Sequence, residues 1–336
     1  MSLVIDVHTH VVPAYIPADP RGGKLWPSVA REGDDANVMI DGRIFRRIDS
    51  RSWDVMRRLG DMRADGVDMQ VLSPMPELLS HWLEADAGAA LAEIINDDIA
   101  RMVTEAPDRF AGVGMVCMQD ASRALKQIER IKTLGFHGFE IGTHIHGVPL
   151  GAQSLWPIYE AAEALDLAIF VHPLHPAGVE RIGAAGEYAA IAAFPLETAL
   201  AAVSLLAHGV MERFPRLRVL LSHGGGALPW ILPRLDQGYE ISAAMRQSMK
   251  ENPSAGVRRF WFDTIVYSEN ALRFIAQEIG EEHIVVGSDY PFTIKQDKPG
   301  AFAARALGAA SPCLHVNAGK LLGKKFVAPT SGARVS

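Results

Sequence analysis

The chain has 336 residues, 49% of them hydrophobic and 21% charged, with two cysteines and a formal net charge of −6. This composition suits one large α/β domain and argues against nucleic acid as the main partner, so an anionic ligand would need local basic residues. Cys117 and Cys313 are too few and too far apart for a disulfide framework, no leader pattern opens the chain and no apolar run reaches spanning length, so a cytoplasmic protein without a membrane segment is expected.

Taken in chain order, short apolar stretches alternate with helical ones. Residues 4–8 read as a first strand. Later strands are expected at 69–73, 111–116, 138–141, 168–171, 219–222, 260–263 and 284–287. Helical periodicity at 53–65, 87–105, 122–133, 155–165, 199–212, 227–249 and 270–279 precedes each of them in turn. Eight strands separated by helices predict a single-domain (β/α)8 TIM barrel over residues 1–336. Residues 13–52 break this rhythm with prolines, glycines and the basic cluster Arg43, Arg46, Arg47 and Arg51. They read as an insertion after strand 1, placed over the rim where barrel active sites lie. Residues 328–336 read as a frayed tail.

The first strand ends in Asp6-Val7-His8-Thr9-His10. Side chains alternate along a strand, so Asp6, His8 and His10 share a face, and two imidazoles one repeat apart form half a metal site. His172 ends the fifth strand, His223 the sixth and Asp289 the eighth. In a closed barrel these ends meet at one mouth. His8, His10, His172 and Asp289 then hold one divalent ion, zinc before manganese or iron, with a position left open for water. His223 is the acid/base partner, and it makes up the catalytic set with Asp289. Asp6 either orients a ligand or packs at the strand. No lysine ends the fourth strand, where Glu140 lies, so one metal is expected rather than two. The glycines 224–226 lack a dinucleotide fingerprint, and no Gly-x-Ser-x-Gly elbow is present.

Together, the Asp-x-His-x-His start, Val171-His172-Pro173, Ser222-His223-Gly224-Gly225-Gly226 and Gly287-Ser288-Asp289-Tyr290-Pro291-Phe292 resemble the amidohydrolase superfamily. Within it, the likeness is to the α-amino-β-carboxymuconate-ε-semialdehyde decarboxylase-like family of decarboxylases and related hydrolases. The resemblance runs over almost the whole chain. It implies non-oxidative decarboxylation of an unsaturated or aromatic carboxylic acid, using metal-bound water and His223. The alternative is a hydrolase or lactonase on the same site. It further implies that Arg46, from the insertion, and Arg234, from the helix after the glycines, bind substrate carboxylates, arginine's planar fork being suited to them. Arg234 would come from the neighbouring subunit of a homodimer. Arg47, beside Arg46, competes for the first role. The stretch 174–178 with His175 and the alanine-rich stretch 183–193 depart from the family pattern and suggest a different substrate.

Overall fold

The structure is a computed structural model that describes residues 3–183, 186 and 188–326; the tail expected at 328–336 lies outside them. Strand β1 (Ile5–Val11) is buried at all seven positions, as a strand covered on both faces must be. It pairs in parallel with β2 (Met69–Pro74), which pairs with the first part of β3 (Phe110–Gly112). The second part of β3 (Gly114–Met115) pairs instead with β4 (Gly138–Gly142). The parallel order continues through β5 (Ala168–His172), β6 (Arg218–Leu221), β7 (Trp261–Asp263) and β8 (Ile284–Val285). Backbone bonds from Val7 N to Val286 O, from Asp289 N to His8 O and from His10 N to Tyr290 O join the segment after β8 to β1 and close the ring.

Two strands differ from expectation. The stretch expected as one strand at 111–116 is divided, because Val113 N bonds to Leu72 O before the chain turns to β4. The eighth strand is only two residues long, since the chain from Val286 onward bonds to β1 rather than to β7.

Helix α1 (Val55–Asp65) begins where the Asp54 carboxylate accepts from Arg57 N and ends at Gly66, whose φ of +69° needs no Cβ. Helices α2 (Ala85–Glu105), α3 (Ala121–Thr133), α4 (Trp156–Ala164), α5 (Phe194–Ala207), α6 (Leu228–Ile241), α7 (Glu269–Ile279) and α8 (Pro299–Leu307) follow in turn. The helix expected over 227–249 is interrupted, because extended Ser242 ends α6 and its hydroxyl caps the short helix Ala243–Ser248. The run Ala189–Ala207 corrects the expectation about apolar length. A π-turn at Ala189–Ala193 leads directly into α5, giving 19 residues long and apolar enough to cross a membrane. It packs against the turn His223–Gly225 and against α6, with 44% of it buried in the fold.

Residues 13–52 hold more than a basic loop. Ser28–Glu32, Asp35–Ile40 and Arg43–Asp49 form a three-stranded antiparallel sheet. Its buried Val38, and Trp26 just before the first of these strands, join the main core.

Candidate metal centre

Two barrel strands, β1 and β5, and the turn after β8 bring the expected ligands together. One donor atom from each of His8, His10, His172 and Asp289 lies within 4.8 Å of all the others, and all four residues are buried. The rings are held from behind. His8 Nδ1 donates to Asp263 Oδ2 at 2.6 Å, and His10 Nδ1 donates to the Pro74 carbonyl at 2.9 Å. The two Nε2 atoms then face each other at 3.0 Å, with Asp289 Oδ1 at 3.4 Å and 3.3 Å from them. Two imidazole lone pairs so placed need a proton or a metal cation between them. Among the described residues, His172 Nε2 and Asp289 Oδ1 are buried without a hydrogen-bond partner. Those orphaned donors and the buried carboxylates fit a divalent ion.

The electrostatics support that fit. Burial lowers His10 and lowers His172 well below the ordinary imidazole range, the neutral state a metal requires. For His8, burial is outweighed by the hydrogen bond to Asp263 and the adjacent Asp289 carboxylate, which raise it to about 10, so there a bound metal would have to displace a proton. Asp289 is held well below the carboxylate range, since its contacts with His10 and His8 outweigh burial.

Asp263, at the end of β7, escaped the sequence reading. Besides gripping His8, it accepts from the backbone N–H of His223 and of Gly224. It therefore couples a metal ligand to the turn that carries the acid/base candidate. An acid ending a barrel strand was the available signal. Asp263→Asn is expected to weaken metal affinity roughly 10–100-fold, as removing such an orienting carboxylate does; chelator competition measures it. Asp6 holds one backbone and one side-chain group, accepting from His8 N at 3.3 Å and Ser288 Oγ at 2.5 Å. Arg58, fully buried on α1, also went unnoticed. It donates to the His10 carbonyl at 2.5 Å and stacks over Tyr290, the residue after Asp289. Within a helix it carried no sequence signal.

His223 sits on the turn after β6 with φ at +56°, and its ring lies 5.0 Å from that of His172. It lines a cavity of about 350 Å³ together with His172 and Asp289. Burial keeps it below the usual histidine range, as a neutral base. Arg46 lines the same cavity, bonds Glu77 and stacks over Phe292 at 4.6 Å. Arg47, the next residue on its strand, is exposed and does not line this cavity. Arg234 is exposed on α6 and lies outside the cavity of its own subunit.

His144, His146 and His175 lie on the rim, outside the cavity. His144 Nε2 donates to the His175 carbonyl at 3.1 Å. Nearby His81 is buried, and its Nε2 accepts from Gly142 N at 3.2 Å, at the end of β4. Burial drives His81 down to about 3. Unfolded, it would take a proton below about 6.5. Stability is therefore expected to fall as pH drops from about 6.5 towards 3, because the unfolded state binds the extra proton. Thermal melts across that range should show a shallower loss in His81→Asn.

Fold and site together define a metal-dependent barrel enzyme. Residues 5–323 match the family model described as amidohydrolase, and the chain belongs to the amidohydrolase family. It is 36% identical to 2-amino-3-carboxymuconate-6-semialdehyde decarboxylase of Dictyostelium discoideum over 306 residues, 89% of this chain and 84% of that one. The crystal structure of 5-carboxyvanillate decarboxylase from Sphingomonas paucimobilis superposes with a TM-score of 0.75 at 32% identity, covering 82% of this chain and 85% of that one. The corresponding enzyme of Novosphingobium aromaticivorans, solved as a mutant with bound manganese and 3-methoxy-4-hydroxy-5-nitrobenzoic acid, gives 0.73 at 28% identity and 82% coverage of each chain. Within the family, the chain is a carboxy-lyase.

Proposed function

We propose that this enzyme catalyses the metal-dependent, non-oxidative decarboxylation of an aromatic or unsaturated carboxylic acid. The observation that carries the reading is that two of the four converging metal donors, His172 and Asp289, meet His223 and Arg46 around one largely apolar cavity. Relatives named for decarboxylation of carboxymuconate, resorcylate and carboxyvanillate support it. His8, His10, His172 and Asp289 would hold the ion. Three imidazoles and a carboxylate suit zinc, and manganese is bound in the Novosphingobium relative. Bound there, a divalent ion supplies Lewis acidity towards a substrate oxygen and acidifies water.

The chain's own groups do the rest. The apolar wall excludes water, and Arg46 orients the substrate. His223, a neutral base at rest, takes a proton from water and delivers it to the carbon that loses its carboxylate, and the hydroxide left over takes up the carbon dioxide as bicarbonate. The carbon–carbon bond breaks, its electron pair ends in the new carbon–hydrogen bond, and carbon dioxide leaves without an oxidant. The test is an assay of the metal-loaded enzyme against aryl and unsaturated acids. Released carbon dioxide supports the proposal. Turnover confined to amides or lactones, giving ring-opened acid, replaces it with the hydrolase reading.

The working unit is a homodimer in which Arg234 of one subunit completes the other's site. Support comes from Trp230, which lies four residues earlier on α6, lines the cavity mouth and is 78% exposed in the single subunit. Arg46→Ala is expected to raise KM about tenfold or more for a carboxylate substrate, through loss of a charge-assisted contact. Mixing those subunits with Arg234→Ala subunits should recover part of the activity. No recovery after demonstrated exchange would remove the shared site. The reading also places the enzyme in a reducing cytoplasm, in keeping with the free, buried Cys117 and Cys313.

A further inference from the structure

Arg58 is a charged group that the proposed reaction leaves unused, and its contacts bear on the metal centre rather than on the substrate. It lies on α1 and is fully buried. Its Nε and Nη1 have no partner among the described residues. The carboxylates whose charge reaches it, Asp6 and Asp61, are engaged elsewhere, Asp6 with His8 N and Ser288 Oγ and Asp61 with the Tyr290 hydroxyl. A buried cation so sparsely bonded costs the fold more than an apolar side chain of similar size would. Packing alone does not account for it.

The contacts of Arg58 fall on both sides of one seam. The metal donors His10 Nε2 and Asp289 Oδ1 face each other at 3.3 Å across the join between β1 and the turn after β8. Arg58 spans the same join from α1. Its Nη2 donates to the His10 carbonyl at 2.5 Å, and its guanidinium stacks on the Tyr290 ring at 4.7 Å. Asp61, one turn further along α1, accepts from the Tyr290 hydroxyl at 2.9 Å, so α1 holds that ring by its face and by its edge. Tyr290 directly follows Asp289, whose φ of +68° is left-handed and strained for a residue with a Cβ. Such a conformation persists where the surrounding contacts over-determine it. On β1, the Pro74 carbonyl holds the His10 ring at Nδ1 while Arg58 holds the His10 backbone, and these two points fix the direction of Nε2.

We propose that Arg58 is a positioning residue for the metal centre: it fixes the spacing of His10 and Asp289, and through that spacing the affinity and geometry of the bound ion. The inference rests on the four-donor site and not on decarboxylation. The charge of Arg58 acts in the opposite sense, since a cation behind the site repels a divalent ion. The two effects separate in Arg58→Lys, which keeps the charge and loses the planar fork.

The experiment loads the whole chain, wild type and variants, with zinc or with cobalt. Chelator competition should show zinc bound roughly tenfold or more weakly by Arg58→Lys, the usual cost of losing a group that orients a ligand. The visible spectrum of the cobalt-loaded protein, which reports ligand geometry, should shift as well. Ile128→Ala supplies the baseline for a purely structural loss. It truncates a buried residue on α3, a helix that contributes nothing to the cavity. It should lower Tm yet leave zinc affinity within about twofold and the cobalt spectrum unchanged. Zinc affinity of Arg58→Lys within about twofold of wild type, or an unshifted cobalt spectrum, overturns the inference. If Arg58→Lys does not fold, Tyr290→Leu takes its place, because it removes the stacked ring and leaves the charge of Arg58. A folded Tyr290→Leu protein with wild-type zinc affinity overturns the inference too. A wild type that takes up neither metal overturns both the four-donor site and the role of Arg58. None of these readouts needs turnover, so failure of the decarboxylase reading is seen separately.

Discussion

Replacing His223 by alanine is expected to leave the metal in place and to lower kcat by roughly 10²–10⁴-fold, the usual weight of a lost general acid/base. The geometry separates the two roles. The four metal donors converge without His223, whose ring makes no side-chain hydrogen bond among the described residues and borders the cavity instead. Its backbone N–H is fixed by Asp263, and that contact survives truncation of the side chain. Metal content by elemental analysis together with steady-state kinetics checks the expectation. Loss of metal along with activity would reassign His223 as a ligand.

His172→Ala is expected to abolish the rise in Tm that metal addition gives the wild type, and activity with it. The physical reason lies in its Nε2, which is buried without any partner among the described residues. The Nδ1 side makes only a local bond to the Pro173 carbonyl at 3.1 Å. Removing the ring therefore takes away a metal donor while breaking no long-range hydrogen bond, so the metal-free protein should lose only a few degrees, roughly the cost of a small cavity. Thermal melts with and without zinc or manganese separate the outcomes. An unchanged metal-dependent shift in the variant would mean that the ion binds elsewhere.

Much of this site was legible in the sequence because its residues fall at strand ends, and strand ends are readable from alternation and from helical spacing. Asp-x-His-x-His needs only the two-residue period to place two imidazoles on one face. His172, His223 and Asp289 each close an apolar run, so the barrel hypothesis alone brings them to one mouth. Asp263 closes such a run as well and could have been found by the same rule; its role depends on a 2.6 Å contact with a residue 255 positions away. The limits of the apolar helix at Ala189–Ala207 were hidden because Pro195 reads as a boundary, whereas it occupies the first turn of α5, where no N–H is needed.

What the sequence determined by itself was local and periodic: the barrel alternation, the ligand set and the acid/base candidate. What only the tertiary structure decided was pairing at a distance. It chose Arg46 over Arg47 as the arginine on the cavity, because the inserted strands form a sheet whose register and packing turn one arginine inward and leave its neighbour outside. It also set Glu77 against Arg46 and buried Arg58 beneath His10. Contacts of that kind come from the closing of the ring and the docking of the insertion, and side-chain period along a single segment carries no information about which distant group will stand opposite.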